Sequence, residues 1–119
     1  MREIKFDYII RGEGNVLYHT PYSLNQLEET TKLETARTMG RIVARREYTG
    51  LKDKNGVEIY EGDIVRRIGK TIDSISFHNG CFVYKHPTED IYGDMKYAEK
   101  YTEVIGNIYE NPDLLEQTS

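Results

Sequence analysis

The segment of residues 48–65 constrains the fold most, because its turn residues are spaced for short antiparallel strands. Asn55-Gly56 supplies the positive φ that a tight β-hairpin needs. A second reversal follows at residues 61–63, where a glycine lies between two acids. The segment therefore predicts a compact hairpin unit within one small, β-rich domain.

Further short strands are predicted on both sides of this segment. Residues 2–10 alternate between apolar and polar side chains, and residues 16–18 return as a second short strand. The core strands are predicted at residues 41–48, 57–66, 71–77, 81–85 and 102–109. Short strands separated by turns are typical of a small barrel, whose closure removes exposed sheet edges.

Two of these strands have irregular patterns. Ile72 is out of phase with Ile75 and Phe77, which predicts a bulge near residues 73–74. Gly106 lies inside the last strand, where a glycine indicates a bulge or a close backbone approach.

Two short helices are expected outside the core. Ser23 and Gln26 have the spacing of a capping box, which predicts a helix over residues 24–33. Residues 111–113, Asn-Pro-Asp, are typical of a helix start, whereas residues 86–100 are expected to form a polar loop.

The predicted fold is mainly β (α+β by content), with a small SH3-like β-barrel core. An N-terminal extension of one strand and a short helix occupies residues 1–40, and the barrel core occupies residues 41–110. Residues 111–119 form a short C-terminal helical turn and tail, so the chain of 119 residues is expected to be a single domain.

Composition indicates a soluble protein of a reducing cytoplasm. No apolar run is long enough for a membrane helix, and the charged N-terminus lacks the apolar stretch of a secretion signal. Cys81 is the only cysteine, which excludes an internal disulfide and a thiolate metal cluster. It is expected to be a small core residue.

No pattern in the sequence predicts catalysis. Asp53, Glu58, Glu61 and Asp63 crowd one hairpin and could hold a divalent ion, but carboxylates in turns more often cap their own backbone. The histidines lack ligand spacing. We therefore expect a protein that is not an enzyme, with no catalytic residue, no cofactor and no metal site.

Charge is unevenly distributed, and the basic residues suggest a binding surface. Residues 1–85 carry fourteen basic and twelve acidic side chains (net +2), and residues 86–119 carry two and eight (net −6). The surface is either solvated and internally paired, which is favoured, or a nucleic-acid face on which bases stack. Its candidate residues are Arg41, Arg45, Arg46, Tyr48, Tyr60, Arg66 and Arg67.

Three segments resemble the YopX family. They are residues 48–65 (YTGLKDKNGVEIYEGDIV), 104–115 (VIGNIYENPDLL) and 2–6 (REIKF). The resemblance spans nearly the whole chain. It implies a protein encoded by a phage or prophage of bacteria, mostly Gram-positive ones. It implies no biochemical activity, and it offers no catalytic residues to carry over.

Two functions are consistent with these features. The first is a non-enzymatic protein-binding or self-assembly module in the cytoplasm of a bacterial host. A homo-oligomer is its expected form, a host or phage protein is a further candidate partner, and no membrane contact is expected. The alternative is a nucleic-acid-binding module that uses the arginine and tyrosine surface.

Overall fold

The computed structural model describes residues 4–23, 40–67 and 71–117, without the side chains of residues 22, 23 and 117. The chain divides into two compact units, Met1–Tyr48 and Thr49–Ser119. The predicted helix over residues 24–33 lies outside the described residues. The single-domain prediction and its boundaries at residues 40 and 110 stay predictions. None of the helices in the described ranges has the length and apolarity needed to cross a bilayer.

The first unit is built around an antiparallel sheet. Strand β1 (Lys5–Arg11) pairs with β2 (Leu17–Ser23) on one side and with the first part of β3 (Arg41–Lys52) on the other. A 3-10 turn at Glu13–Asn15 joins β1 to β2. The predicted N-terminal strand and its return are therefore confirmed, although β2 is longer than expected and includes Ser23, the residue expected to cap a helix.

A bulge in β3 decides which arginines share a face. Ile10 lies opposite Ile42 and Ile9 lies opposite Ala44, so the register skips Val43. The side-chain alternation of β3 therefore shifts by one residue at this point. Arg41 faces the same side of the sheet as Arg46, and Arg45 faces the other side.

The second unit contains the predicted hairpin and a larger sheet. The end of β3 and strand β4 form the hairpin, and Gly62 (φ 87°) turns the chain from β4 into β5. The strands of this unit after β3 are β4 (Glu58–Tyr60), β5 (Asp63–Arg67), β6 (Ile72–His78), β7 (Cys81–Lys85), β8 (Tyr92–Asp94) and β9 (Thr102–Asn107).

The larger sheet is antiparallel, with the strand order β8-β7-β6-β5-β9. It curls into a half-barrel, so the mainly β, barrel-like prediction is confirmed. Its apolar core consists of Ile59, Val65, Ile75, Tyr84, Met95 and Ala98.

Two predicted segments have different bounds. The strand expected at residues 57–66 is interrupted by the Gly62 turn and forms both β4 and β5. The polar loop expected at residues 86–100 contains β8 and reaches the one-turn helix α1 (Ala98–Tyr101). Met95 and Ala98 are buried, and this apolar contact holds the segment against the sheet despite its many charges.

Two residue-level expectations in β6 and β7 are wrong. The pairing of β6 with β5 and with β7 is continuous, so no bulge occurs at residues 73–74. The inward position that breaks the apolar pattern is occupied by buried Asp73, which pairs with Arg67. Cys81 is exposed rather than in the core, because it lies at the turn end of β7 opposite His78.

Gly106 confirms the prediction made for a glycine within the last strand. The register of β5 and β9 skips Ile105, which is a bulge. A Cβ atom on Gly106 would also lie 2.5 Å from Oδ1 of Asn111, so the close neighbour of the glycine is a side chain rather than another backbone segment. The Asn111 side chain accepts a hydrogen bond from the Asn107 amide (3.2 Å) instead of capping the 3-10 helix Pro112–Gln117.

Candidate functional site

A small pocket of about 150 Å³ opens on the second unit. Its described lining combines a cation, a carboxylate and three aromatic rings from β5, β7, β8 and the α1 turn. The lining residues are Arg67, Tyr84, Asp94, Tyr97 and Tyr101.

Arg67 is held at the base of the pocket by two contacts. Its Nε lies 3.0 Å from Oδ2 of buried Asp73, which is an ion pair without the alignment of a hydrogen bond. Its guanidinium carbon lies 4.6 Å from the centre of the Tyr84 ring, within cation–π distance. Arg67 is therefore oriented before any ligand arrives, because Asp73 and Tyr84 both belong to the sheet.

Gly93 lies beside the contact between Arg67 and Tyr84. It lies directly opposite Tyr84 in the pairing of β7 with β8. A Cβ atom on Gly93 would contact Nη1 of Arg67 at 3.5 Å and the Tyr84 ring at 3.6 Å. These are ordinary van der Waals distances, so a Cβ atom at position 93 would touch both groups without displacing them.

The rim of the pocket is formed by two tyrosines four residues apart. Tyr97 precedes α1 and Tyr101 ends it, and this spacing places both on one side of a helical turn. Their rings lie 6.3 Å apart in an edge-to-face arrangement and are 56% and 53% exposed. Because Ala98 is buried between them, the turn presents its aromatic side to solvent.

The Tyr84 hydroxyl lies in a buried environment. It hydrogen-bonds the hydroxyl of Thr102, a residue that is fully buried. Burial raises the pKa of Tyr84 above its ordinary value of 10.0, and the Thr102 hydrogen bond opposes this effect. Tyr84 is therefore neutral at physiological pH.

Replacing Tyr84 with phenylalanine tests this hydroxyl. We expect the free energy of unfolding to fall by about 1–2 kcal/mol at neutral pH, because the Thr102 hydroxyl loses its partner. In the wild type, neutral Tyr84 contributes to the free energy of unfolding. This contribution is complete below pH 10.0 and is lost as the pH rises through the raised pKa of Tyr84. The difference between the two proteins should therefore shrink in alkali, as measured by urea denaturation across pH.

The exposed Tyr109 supplies the control for this measurement. Tyr109→Phe should leave the unfolding free energy within about 0.5 kcal/mol of wild type, because substitutions of exposed side chains change stability little. An alkaline profile of Tyr84→Phe parallel to that of wild type would contradict the assignment.

The seven residues of the predicted binding surface are divided between the two units. In the sheets, β3 neighbours β1 and β4, whereas β5 neighbours β6 and β9. Arg41, Arg45, Arg46 and Tyr48 belong to the first unit, and Tyr60, Arg66 and Arg67 belong to the second.

Three of these seven residues are buried. Arg46 pairs with Asp7 inside the first unit, and its side chain is 6% exposed. Tyr48 is buried under the ammonium of Lys5, which lies 4.9 Å from the ring centre. Tyr60 is also buried, and its hydroxyl donates to Glu58. These three residues support the fold.

The remaining four arginines differ in their contacts. Arg41 and Arg66 are exposed, and Arg45 is exposed with its guanidinium 5.0 Å from the centre of the Phe6 ring. Only Arg67 of the predicted set lines the aromatic pocket.

Two of the four acidic residues of the hairpin cap backbone amides, as the favoured interpretation predicted for carboxylates in turns. Asp53 accepts hydrogen bonds from the amides of Asn55 and Val57, and Asp63 accepts one from the amide of Tyr60. In the described part of the chain, no three His, Cys, Asp or Glu side chains are grouped for a metal ion.

Sequence reasoning missed the rim of the pocket. Asp94, Tyr97 and Tyr101 lie in or beside the segment that was expected to be a polar loop. The signal was the four-residue spacing of the two tyrosines around an alanine, which is the pattern of one amphipathic helical turn.

Comparison with known proteins identifies a family. The family model described as YopX protein matches residues 8–116. No curated protein matches the chain. Among solved structures, the crystal structure of protein EF1440 from Enterococcus faecalis is similar at 29% identity and a TM-score of 0.46, covering 92% of this chain and 75% of that one.

Proposed function

Because the chain belongs to the YopX family, we propose that it is a non-enzymatic self-assembly module whose aromatic pocket binds a second copy. The observation that supports this most is the exposed pair Tyr97 and Tyr101 beside the oriented Arg67. Tyrosine and arginine are the residue types that dominate binding energy at protein interfaces. We also propose that it acts inside a bacterium that carries a phage or prophage, which is what the family resemblance implies.

The charges of the pocket favour a basic side chain from the neighbouring copy. Arg67 is already paired with Asp73, whereas Asp94 has no ion pair within the described residues. The Nζ atom of Lys96 lies 5.5 Å from the centre of the Tyr97 ring, so that ring already attracts a cation within the chain. A phosphate group would be repelled by Asp94, which argues against nucleic acid at this pocket.

The first unit offers a suitable basic residue. Arg45 is exposed and already lies against the ring of Phe6. An arginine of this kind could pair with Asp94 of another copy while its planar guanidinium packs against Tyr97 or Tyr101. Association would then weaken as salt screens the charge pair.

Sedimentation velocity of the full chain at micromolar concentrations tests the proposal. We expect a concentration-dependent oligomer that Tyr97→Ser combined with Tyr101→Ser weakens by at least about tenfold. Asp94→Asn and Arg45→Gln should each weaken it and reduce its salt dependence.

Tyr109→Ser provides the matched control, because Tyr109 is also exposed but does not line the pocket. It should associate as the wild type does. A wild type that stays monomeric at every concentration, or an oligomer that the two rim substitutions leave intact, would overturn the proposal.

A further inference from the structure

Two arginines of the first unit lie directly opposite each other across a strand pair. Arg11 ends β1, Arg41 begins β3, and their Cα atoms are partners in the antiparallel register. Both side chains are exposed. Like charges in this position repel each other, so the arrangement disfavours the free fold unless something neutralises it.

The backbone keeps this pair close together. A Cβ atom on Gly40 would lie 2.3 Å from the carbonyl oxygen of Arg11 and 2.9 Å from the Cα of Gly12. Only glycine allows the chain to pass this close as it enters β3. The two arginines are therefore held side by side by the path of the main chain.

The guanidinium of Arg11 has a fixed orientation. Its Nη1 donates a 2.7 Å hydrogen bond to Oδ1 of Asn15 in the turn between β1 and β2. Asn15 has a positive φ of 65° and ends the 3-10 turn that follows β1. One edge of the guanidinium is used by this amide, and among the described residues its other donors have no hydrogen-bond acceptor.

A groove of about 260 Å³ lies beside the two arginines, and Ile42 and Val43 complete its described lining. Within residues 4–23, 40–67 and 71–117, no carboxylate forms an ion pair with Arg11 or Arg41. The groove thus combines space for a small anion with two cations that lack acidic partners among the described residues.

We propose that Arg11 and Arg41 bind a phosphate-type oxyanion in this groove. Planar guanidinium groups bind phosphate oxygens through paired N–H donors, and two of them side by side can hold one phosphate from two directions. The phosphate belongs either to a small molecule or to the backbone of a nucleic acid. This site lies outside the aromatic pocket and does not depend on self-assembly.

Titration of the full chain with inorganic phosphate, followed by amide NMR at constant ionic strength, tests the site. We expect saturable shifts at Arg11 and Arg41, and at least about fivefold weaker binding in Arg11→Gln and in Arg41→Gln. Both variants should also lose the rise in melting temperature that phosphate gives to the wild type.

Arg66→Gln is the matched control, because Arg66 is an exposed arginine that lines neither this groove nor the aromatic pocket. It should bind phosphate as the wild type does. The Tyr97 and Tyr101 variants should bind phosphate normally too, so failure of the pocket proposal and failure of this one are distinguishable.

A fluorescent single-stranded oligonucleotide distinguishes the two sources of phosphate. Binding that depends on Arg11 and Arg41 and falls steeply with salt would assign the site to a nucleic-acid backbone. Phosphate binding without oligonucleotide binding would assign it to a small molecule. Shifts that chloride reproduces, or that persist unchanged in both glutamine variants, would overturn the proposal.

Discussion

Replacing Arg46 with methionine is expected to lower the free energy of unfolding by about 3–5 kcal/mol. Arg46 donates from Nη2 (2.7 Å) and Nε (3.2 Å) to Oδ2 of Asp7, directly opposite in the strand register. Both side chains are only 6% exposed. Methionine fills similar volume but leaves a buried carboxylate whose charge is no longer compensated by the guanidinium.

Urea denaturation measures this loss, and two variants make its cause clear. Arg45→Met removes an exposed arginine from the same strand and should cost less than about 1 kcal/mol, mainly its contact with the Phe6 ring. Combining Arg46→Met with Asp7→Leu removes both charges and should recover much of the loss. A loss below about 1 kcal/mol in Arg46→Met would contradict the burial argument.

His19 is a third member of the contact between Asp7 and Arg46. Its Nδ1 lies 2.7 Å from the same Oδ2 atom of Asp7, and its side chain is 39% exposed. Asp7 therefore joins three strands, because Arg46 comes from β3 and His19 from β2. This role explains why an acid is buried in the middle strand of the sheet.

The turns were predictable from the sequence, because their geometry depends on neighbouring residues. Asn79-Gly80 adopts the positive φ angles (50° and 84°) that such a pair favours. The bulge at Gly106 was predictable too, because a glycine within an apolar strand contributes no side chain to the core and so indicates a backbone requirement.

The arginine pairs were not predictable, because they depend on strand register. A bulge at Val43 places Arg41 and Arg45 on opposite faces of the sheet. No local pattern of residues predicts this bulge. A bulge was expected near Asp73 because the inward positions of a strand were expected to be apolar. Its partner Arg67 lies on the neighbouring strand, where only the fold brings the two charges together.

The aromatic pocket was missed because its rim depends on one helical turn. A single turn gives one four-residue spacing and no longer repeat, and the charges at Lys96, Glu99 and Lys100 outweighed that signal, so a loop was expected. The buried contacts of Met95 and Ala98 hold this turn in place. Tertiary packing, rather than helix propensity, thus determines where Tyr97 and Tyr101 lie.

Replacing Asp53 with alanine should destabilise the second unit by about 3 kcal/mol, because three backbone amides lose a charged acceptor at once. Asp53 is 3% exposed. Its Oδ1 accepts from the amides of Asn55 (2.8 Å) and Val57 (2.9 Å) within the hairpin. Its Oδ2 accepts from the amide of Val104 (2.9 Å), fifty-one residues further along the chain.

This last hydrogen bond joins the two longest segments that resemble the YopX family. Asp53→Asn tests it separately from the turn, because the amide oxygen can still cap the hairpin while its NH₂ group would face the Val104 amide, another donor. Its stability in urea denaturation should lie between that of wild type and that of Asp53→Ala. Asp90→Ala, at an exposed acid, should stay within about 0.5 kcal/mol of wild type. Equal stability of Asp53→Asn and wild type would show that the Val104 contact contributes little and that the family motif at residues 48–65 is maintained by its turn alone.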